Sequence, residues 1–158
     1  MKGDKKVLEV LSEALAEELT AVNQYFLHAE IFESWGYGRL SANIKKISVE
    51  EMKHAEKLIE RILFLDGQPD MTRYLQIKIG TKIPEMLKND LDAEQNAVKL
   101  YNDAIKTAMA ANDDGSAQLL RQLLKDEEEH FDWFDTQLEQ IEQIGLEIYL
   151  TMWVEGEE

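Results

Sequence analysis

Residues 47–58 read Ile47-Ser48-Val49-Glu50-Glu51-Met52-Lys53-His54-Ala55-Glu56-Lys57-Leu58, and the order of residue types in this stretch decides the fold. Ile47, Glu51, His54 and Leu58 recur at steps of four, three and four, which puts them on one stripe of an α-helix. Isoleucine and leucine on that stripe belong in a core, so a glutamate and a histidine are carried inside with them. A buried carboxylate without a partner costs several kcal/mol, on the order of the whole stability of a small domain. The stripe therefore demands a compensating positive charge. Met52 follows Glu51 and is rotated about 100° from it, so it faces outward.

The same spelling returns once. Asp126-Glu127-Glu128-Glu129-His130 places Glu127 and His130 on a stripe with Leu120, Leu123, Phe134, Ile141 and Ile144, while Glu128 and Glu129 turn away to solvent. Two further helical stripes each carry one glutamate. In the first, Leu11, Leu15, Glu18, Val22, Tyr25 and Ala29 alternate steps of four and three; in the third, Leu87, Glu94, Ala97, Tyr101 and Ala108 share a face. His28 lies off these stripes and reads as a surface or interface residue.

The breaks between stripes set the architecture. The first helix runs from about residue 5 to Trp35 and stops at Gly36-Tyr37-Gly38; the second runs from about Leu40 to Leu65. The third begins near Ile83 with Thr81 as its N-cap and Pro84 in its first turn, and Asn112-Asp113-Asp114-Gly115 separates it from the fourth, which Gly145 ends. Short turns after the first and third helices make two antiparallel pairs. The stretch from Asp66 to Lys82 is too long for a tight turn and reads as a crossover along a four-helix bundle. Leu146 to Trp153 is apolar, so a short fifth helix over about 146–154, buried against other subunits, is expected.

A lone Glu-x-x-His in an acidic helical chain is usually a solvated pair. Here two of the three histidines stand in such pairs, and the spacing repeats. Glu18 to Glu51 is 33 residues, as is Glu94 to Glu127, and a tyrosine (Tyr25, Tyr101) follows seven residues after each lone glutamate. The halves repeat at an offset of 76. One Glu from each of two helices and Glu-x-x-His from the other two is the known ligand set of ferritin-like di-iron and di-manganese bundles, so this step matches an established pattern. Four carboxylates offset two divalent cations, and carboxylate with imidazole suits Fe(II) or Mn(II), although zinc also occupies such sites inertly. Glu18, Glu51, His54, Glu94, Glu127 and His130 are the candidate ligands, with Tyr25 in the candidate catalytic set.

The chain's 158 residues are read as a single domain over 1–158. With no cysteine, it has no disulfide, thiolate metal site, iron–sulfur cluster or Cys-x-x-Cys-His haem attachment. A net charge of −15 repels phosphate backbones, which argues against nucleic-acid binding. Met1-Lys2-Gly3-Asp4 opens with charge, no apolar signal core follows, and no segment approaches the ~20 apolar residues of a membrane span. A cytoplasmic location is expected.

Over nearly its whole length the chain resembles the bacterioferritins. The resemblance rests on Met1-Lys2-Gly3-Asp4, Asn23-Gln24-Tyr25-Phe26-Leu27-His28, Glu51-Met52-Lys53-His54-Ala55, Ile62-Leu63-Phe64-Leu65, and Asp126-Glu127-Glu128 with His130, Asp132 and Trp133. It implies a ferroxidase using O2 or H2O2, an iron-storing homo-oligomer of 24 subunits built from twofold dimers, and a small ferredoxin as reductant. It also implies that Glu51 and Glu127 bridge the irons, with Glu18 and His54 completing one and Glu94 and His130 the other. At Met52 it implies a ligand to haem b, one methionine from each of two subunits, in surroundings set by Asn23, Phe26 and Lys53. One departure stands out: an inner-surface iron site found in many members has Lys46 and Glu50 at its positions here. Iron would then pass to the cavity directly from the centre, with His130 or His54 swinging aside. A rubrerythrin-like di-iron peroxidase and a purely structural helical oligomer are the alternatives, separable by particle size and by iron-dependent oxygen consumption.

Overall fold

A computed structural model of the chain describes residues 1–154. It is all-α, with α1 (Lys5–Ser34), α2 (Gly38–Phe64), α3 (Ile83–Ala110), α4 (Asp114–Ile144) and a short α5 (Leu146–Thr151). Asp4 starts α1 by accepting the backbone N–H groups of Lys6 and Val7, two of the donors a helix start leaves free. Gly36 ends it at φ +89°, a conformation that a side chain disfavours, and α2 begins two residues later. No helix among the described residues is long and apolar enough to cross a membrane.

Several boundaries differ from the sequence reading, each for a local reason. The second helix starts at Gly38, ahead of Leu40, because the N–H of Arg39 donates to the Trp153 carbonyl and that of Ser41 to Tyr37. Thr81 is not the N-cap of α3. That position is Lys82, which makes no side-chain cap, while Thr81 donates its hydroxyl and its N–H to the Glu85 carboxylate. Gly115 lies inside the first turn of α4 and not in the break; a Cβ there would meet Arg61 Nη2 at 2.6 Å. Arg61 is held in place by Asp113, the N-cap of α4, and by Ser116. The fifth helix ends at Thr151, and residue 154 is the last described. It docks on its own chain: Tyr149 is buried with its hydroxyl on Gln137, while Ile148 and Met152 stay exposed.

The apolar core comes in two parts. One gathers Val7, Leu11, Leu15, Leu58, Ile62, Leu120 and Leu123; the other gathers Tyr25, Phe32, Leu40, Ile44, Leu87 and Phe134. The candidate ligands form a buried polar layer that neither part includes.

The crossover, residues 66–82, carries neither helix nor strand, so its backbone N–H groups need partners elsewhere. Residues on one face of α1 supply them. Leu75 N–H donates to Thr20 Oγ1, Lys78 N–H to Gln24 Oε1 and Gly80 N–H to His28 Nε2. Thr20, Gln24 and His28 stand four residues apart, about 6 Å per step along a helix, which a few extended residues span. The crossover thus runs beside α1 in the same direction and delivers α3 antiparallel to it. Thr20→Val keeps the shape but leaves the Leu75 N–H without an acceptor. It should cost about 1 kcal/mol in chemical denaturation and speed amide exchange at Leu75 by more than at core Leu58, where only the global loss is felt. Unaltered exchange at Leu75 would show that the threonine does not hold the crossover.

Candidate metal centre

Each of the four long helices turns a piece of its inner stripe toward the same layer. Glu18 comes from α1, Glu51 and His54 from α2, Glu94 from α3, and Glu127 and His130 from α4; all are buried. One donor atom from each of Glu18, Glu51, His54 and Glu127 lies within 4.8 Å of the other three, and the same holds for Glu51, Glu94, Glu127 and His130. Glu51 and Glu127 belong to both groups. The structure therefore brings all six sequence-derived candidates together as two overlapping sets that share two carboxylates.

Donor orientation tests whether cations fit. His54 Nδ1 lies 2.7 Å from Glu127 Oε1 and 3.4 Å from Glu18 Oε1; His130 Nδ1 lies 2.7 Å from Glu51 Oε1 and 3.5 Å from Glu94 Oε1. These approaches lack hydrogen-bond geometry. Seven buried atoms here have no hydrogen-bond partner: Glu18 Oε2, Glu51 Oε1, Glu94 Oε2, both Glu127 oxygens and Nδ1 of each histidine. Orphaned polar atoms are rare in protein interiors, and seven converging on one layer are what two oxygen- and nitrogen-ligated cations require.

The outward atoms of four of these residues, Glu18, His54, Glu94 and His130, are engaged. His54 Nε2 is 2.9 Å from Asp126 Oδ2, and His130 Nε2 is 2.5 Å from Glu50 Oε2. A carboxylate on the far nitrogen fixes each ring with Nδ1 pointing inward and makes it a better donor. Tyr25 Oη donates to Glu94 Oε1 at 2.8 Å, and Tyr101 Oη donates to Glu18 Oε1, leaving Oε2 of each glutamate free. Sequence reading missed Asp126 and Glu50 in this capacity. The signal was present, because Asp126 follows Glu50 at the offset of 76 that relates Glu127 to Glu51.

Crowding of like charge sets the electrostatics. Burial, then the Glu127 charge, raises the Glu18 acid above the usual carboxylate range; burial with Glu127, Glu18 and Glu94 raises Glu51 well above it. Glu127 is pushed up to about 8 by burial and Glu94. Burial opposes charge on the imidazoles, but the carboxylates outweigh it: Glu127 and Glu18 lift His54 to about 11, and Glu94 and Glu127 lift His130 to about 9. Glu17, beside the centre, rises to about 8 through burial, Glu18 and Glu127. Burial and the Glu94 charge raise the Tyr25 hydroxyl well above its ordinary value, so it is a proton donor at neutral pH.

Other candidates fall outside this layer. Met52 is 54% exposed on the outer side of α2; Phe26, on α1 beside Lys45, is also exposed. Lys46 is exposed. Glu128 and Glu129 are exposed, as the stripe required. His28 is not a surface residue: it is fully buried, with Nδ1 2.8 Å from Asp90 Oδ1. Because Nε2 accepts from Gly80, the proton sits on Nδ1 and is donated to Asp90. His28 is off-register because it faces the crossover and α3, and the crossover's path could not be read from helical periodicity.

Comparison with known proteins agrees with this geometry. Residues 8–144 match the family of the ferritin-like domain. The chain is 41% identical over 149 residues to the bacterioferritin of Mycobacterium tuberculosis, covering 94% of each chain. It is 43% identical over 149 residues to that of Brucella melitensis, covering 94% of this chain and 92% of the relative. Against that of Streptomyces coelicolor the identity is 40% over 155 residues, covering 98% and 93%. With its four long helices, long crossover and two overlapping ligand sets, the chain belongs to the bacterioferritin family of ferritin-like proteins.

Proposed function

We propose that this chain, acting as one ferritin-like domain over residues 1–158, is a subunit of an iron-storage shell and a ferroxidase. The observation that carries this reading is the pair of buried ligand sets sharing Glu51 and Glu127. In it Fe(II) is the substrate: Glu18 and His54 hold one ion, Glu94 and His130 the other, and Glu51 and Glu127 bridge them. Each Fe(II) gives up one electron, so a pair supplies the two that convert O2 to H2O2, or H2O2 to water. The residues keep the paired ions close, exclude bulk solvent, and hold ligand atoms ready so that little reorganises as charge rises. Tyr25 and Tyr101 are positioning residues that steer the free oxygen of Glu94 and Glu18 inward. Movement of His130 or His54 to release iron has to break its bond to Glu50 or Asp126.

Two further features belong to this reading. Met52 offers an unburdened thioether on an outward face with Phe26, Leu27 and Val49 also exposed. Those residues fit a haem b held by Met52 from each of two subunits, flanked by Asn23 and Lys53. Such a haem supplies one-electron transfer, with a small ferredoxin as its reductant. Exposed apolar residues also line the crossover (Tyr74, Leu75, Ile77, Ile79) and α5 (Ile148, Met152), which supports burial in a homo-oligomer of 24 subunits built from twofold dimers. The particle works in the cytoplasm, without nucleic acid or membrane.

Glu18→Ala and Glu94→Ala should each lower rapid Fe(II) oxidation at least about a hundredfold while circular dichroism stays helical; full activity in both variants would refute the assignment. Met52→Leu removes the sulfur at similar bulk, so the haem absorption bands should vanish with ferroxidase activity and particle size retained. A third expectation follows from the raised acids. Binding requires carboxylates and neutral imidazole Nδ1, so divalent metal must expel protons from Glu51, Glu127, His54 and His130. Titrating metal-stripped protein with Co(II) in unbuffered solution at neutral pH should acidify it. That release shrinks as pH rises through about 8 to about 11, where these groups lose their protons unaided. Binding without proton release would contradict the electrostatics given above.

A further inference from the structure

The two sides of the centre are not equally closed. On the α2–α4 side, Asp126 and Glu50 cover the outer nitrogens of both histidines. On the α1–α3 side, a cavity of 220 Å³ lies between α1, α3 and the crossover, with Glu17, Asn89, Asp92, Ala93 and Asn96 in its wall. One water needs about 10–15 Å³ of such space, so a cation that keeps several waters is readily housed.

Glu17 is the distinctive side chain of this cavity. It is 6% exposed, and among the described residues its carboxylate has no hydrogen-bond or ion-pair partner; the charges acting on it are those of Glu18 and Glu127. Lys78 also lines the cavity but lies exposed and does not pair with it. The internal repeat shows how unusual this is. At the offset of 76, Glu18 corresponds to Glu94, Tyr25 to Tyr101, Glu50 to Asp126, Glu51 to Glu127 and His54 to His130, but Glu17 corresponds to Ala93. Where symmetry would place a second carboxylate, a methyl group leaves open space, and Ala93 lines that same cavity. A buried carboxyl group with no partner, facing a polar space and next in sequence to a ligand of the centre, has a clear complement in a cation that arrives from solvent and displaces its proton.

We propose that this cavity is the vestibule through which divalent cations reach the centre from the α1–α3 face, with Glu17 taking up the hydrated ion and passing it to Glu18. The proposal rests on the two-metal reading above. Oxygen ligands exchange on the ion, the Glu17 carboxyl proton leaves to water as the ion binds, and no electron moves.

Co(II) tests it without oxidation. Metal-stripped assembled protein is mixed with substoichiometric Co(II) in a stopped-flow spectrophotometer, and the equilibrium number of bound ions is measured separately. Wild-type protein should take up two Co(II) per subunit. Glu17→Gln, which keeps the shape but cannot ionise to a carboxylate, should fill about tenfold more slowly yet reach the same two ions. Ala93→Leu, which narrows the cavity and leaves Glu17 in place, should also slow filling. Filling of Glu17→Gln at the wild-type rate overturns the vestibule and leaves the two-metal centre standing. Loss of a bound ion at equilibrium in Glu17→Gln also overturns it, since Glu17 would then belong to the centre itself. If wild-type protein binds fewer than two Co(II), the two-metal reading fails and the vestibule with it.

Discussion

Four carboxylates and two imidazoles are buried together in one layer, and the rest of the molecule is arranged around that expense. Buried like charges repel strongly in a medium of low dielectric, and each carboxylate taken from water alone costs several kcal/mol. The layer persists because apolar packing holds the helices on either side of it. Fully buried leucines, isoleucines and aromatics contribute about 1.5–3 kcal/mol apiece, and they stand in two groups with the polar layer in neither. The helices are thereby held where the ligand atoms converge. Tyr25, Tyr101, Asp126 and Glu50 complete the arrangement from outside, each occupying the far atom of a ligand and leaving its near atom free.

The internal repeat accounts for most of this design, and its failures are as informative as its successes. The His28–Asp90 pair corresponds at the offset of 76 to Ala104 and Ala14, both of which lie in the apolar core. Nothing in the bundle requires a polar pair at that level. The crossover does, since it passes beside one helix pair only and needs acceptors for its backbone donors, which Thr20, Gln24 and His28 of α1 provide. Gln24 and His28 then lean on Asp90, whose carbonyl and neighbouring turn meet Tyr25. One covalent connection thus breaks the symmetry of two equivalent helix pairs, and its polar support ends one helical turn from a ligand of the centre.

The outer surface follows a second logic. A chain with net charge −15 nonetheless exposes Phe26, Leu27, Met52, Leu63 and Phe64 on α1 and α2, further apolar residues on the crossover, and Ile148 and Met152 on α5. Scattered apolar residues are ordinary on protein surfaces, but runs of them on particular elements point to faces that become covered. Acidic residues over the remaining surface draw cations toward it.

Helical periodicity alone was enough to place Glu18, Glu51, His54, Glu94, Glu127 and His130 on inward stripes, because step lengths of three and four determine a helix face whatever surrounds it. The duplicated spacing joined them into one site, and the stretch after Asp66, too long for a tight turn, required a crossover. Asp126, Glu50 and Tyr101 were legible in the same repeat, although only contact distances gave them their partners. Tertiary structure decided what periodicity cannot address. Thr81 lost the capping position to Lys82, Gly115 joined a helix because Asp113, within the expected break, caps that helix, and His28 became buried because the crossover passes over it. It also decided that Glu17 faces a cavity, which depends on Ala93 being small on a different helix. The stripe on each helix is a local property written in sequence spacing; partners, cavities and the path of irregular backbone arise between segments far apart in sequence, where only the packed chain brings them together.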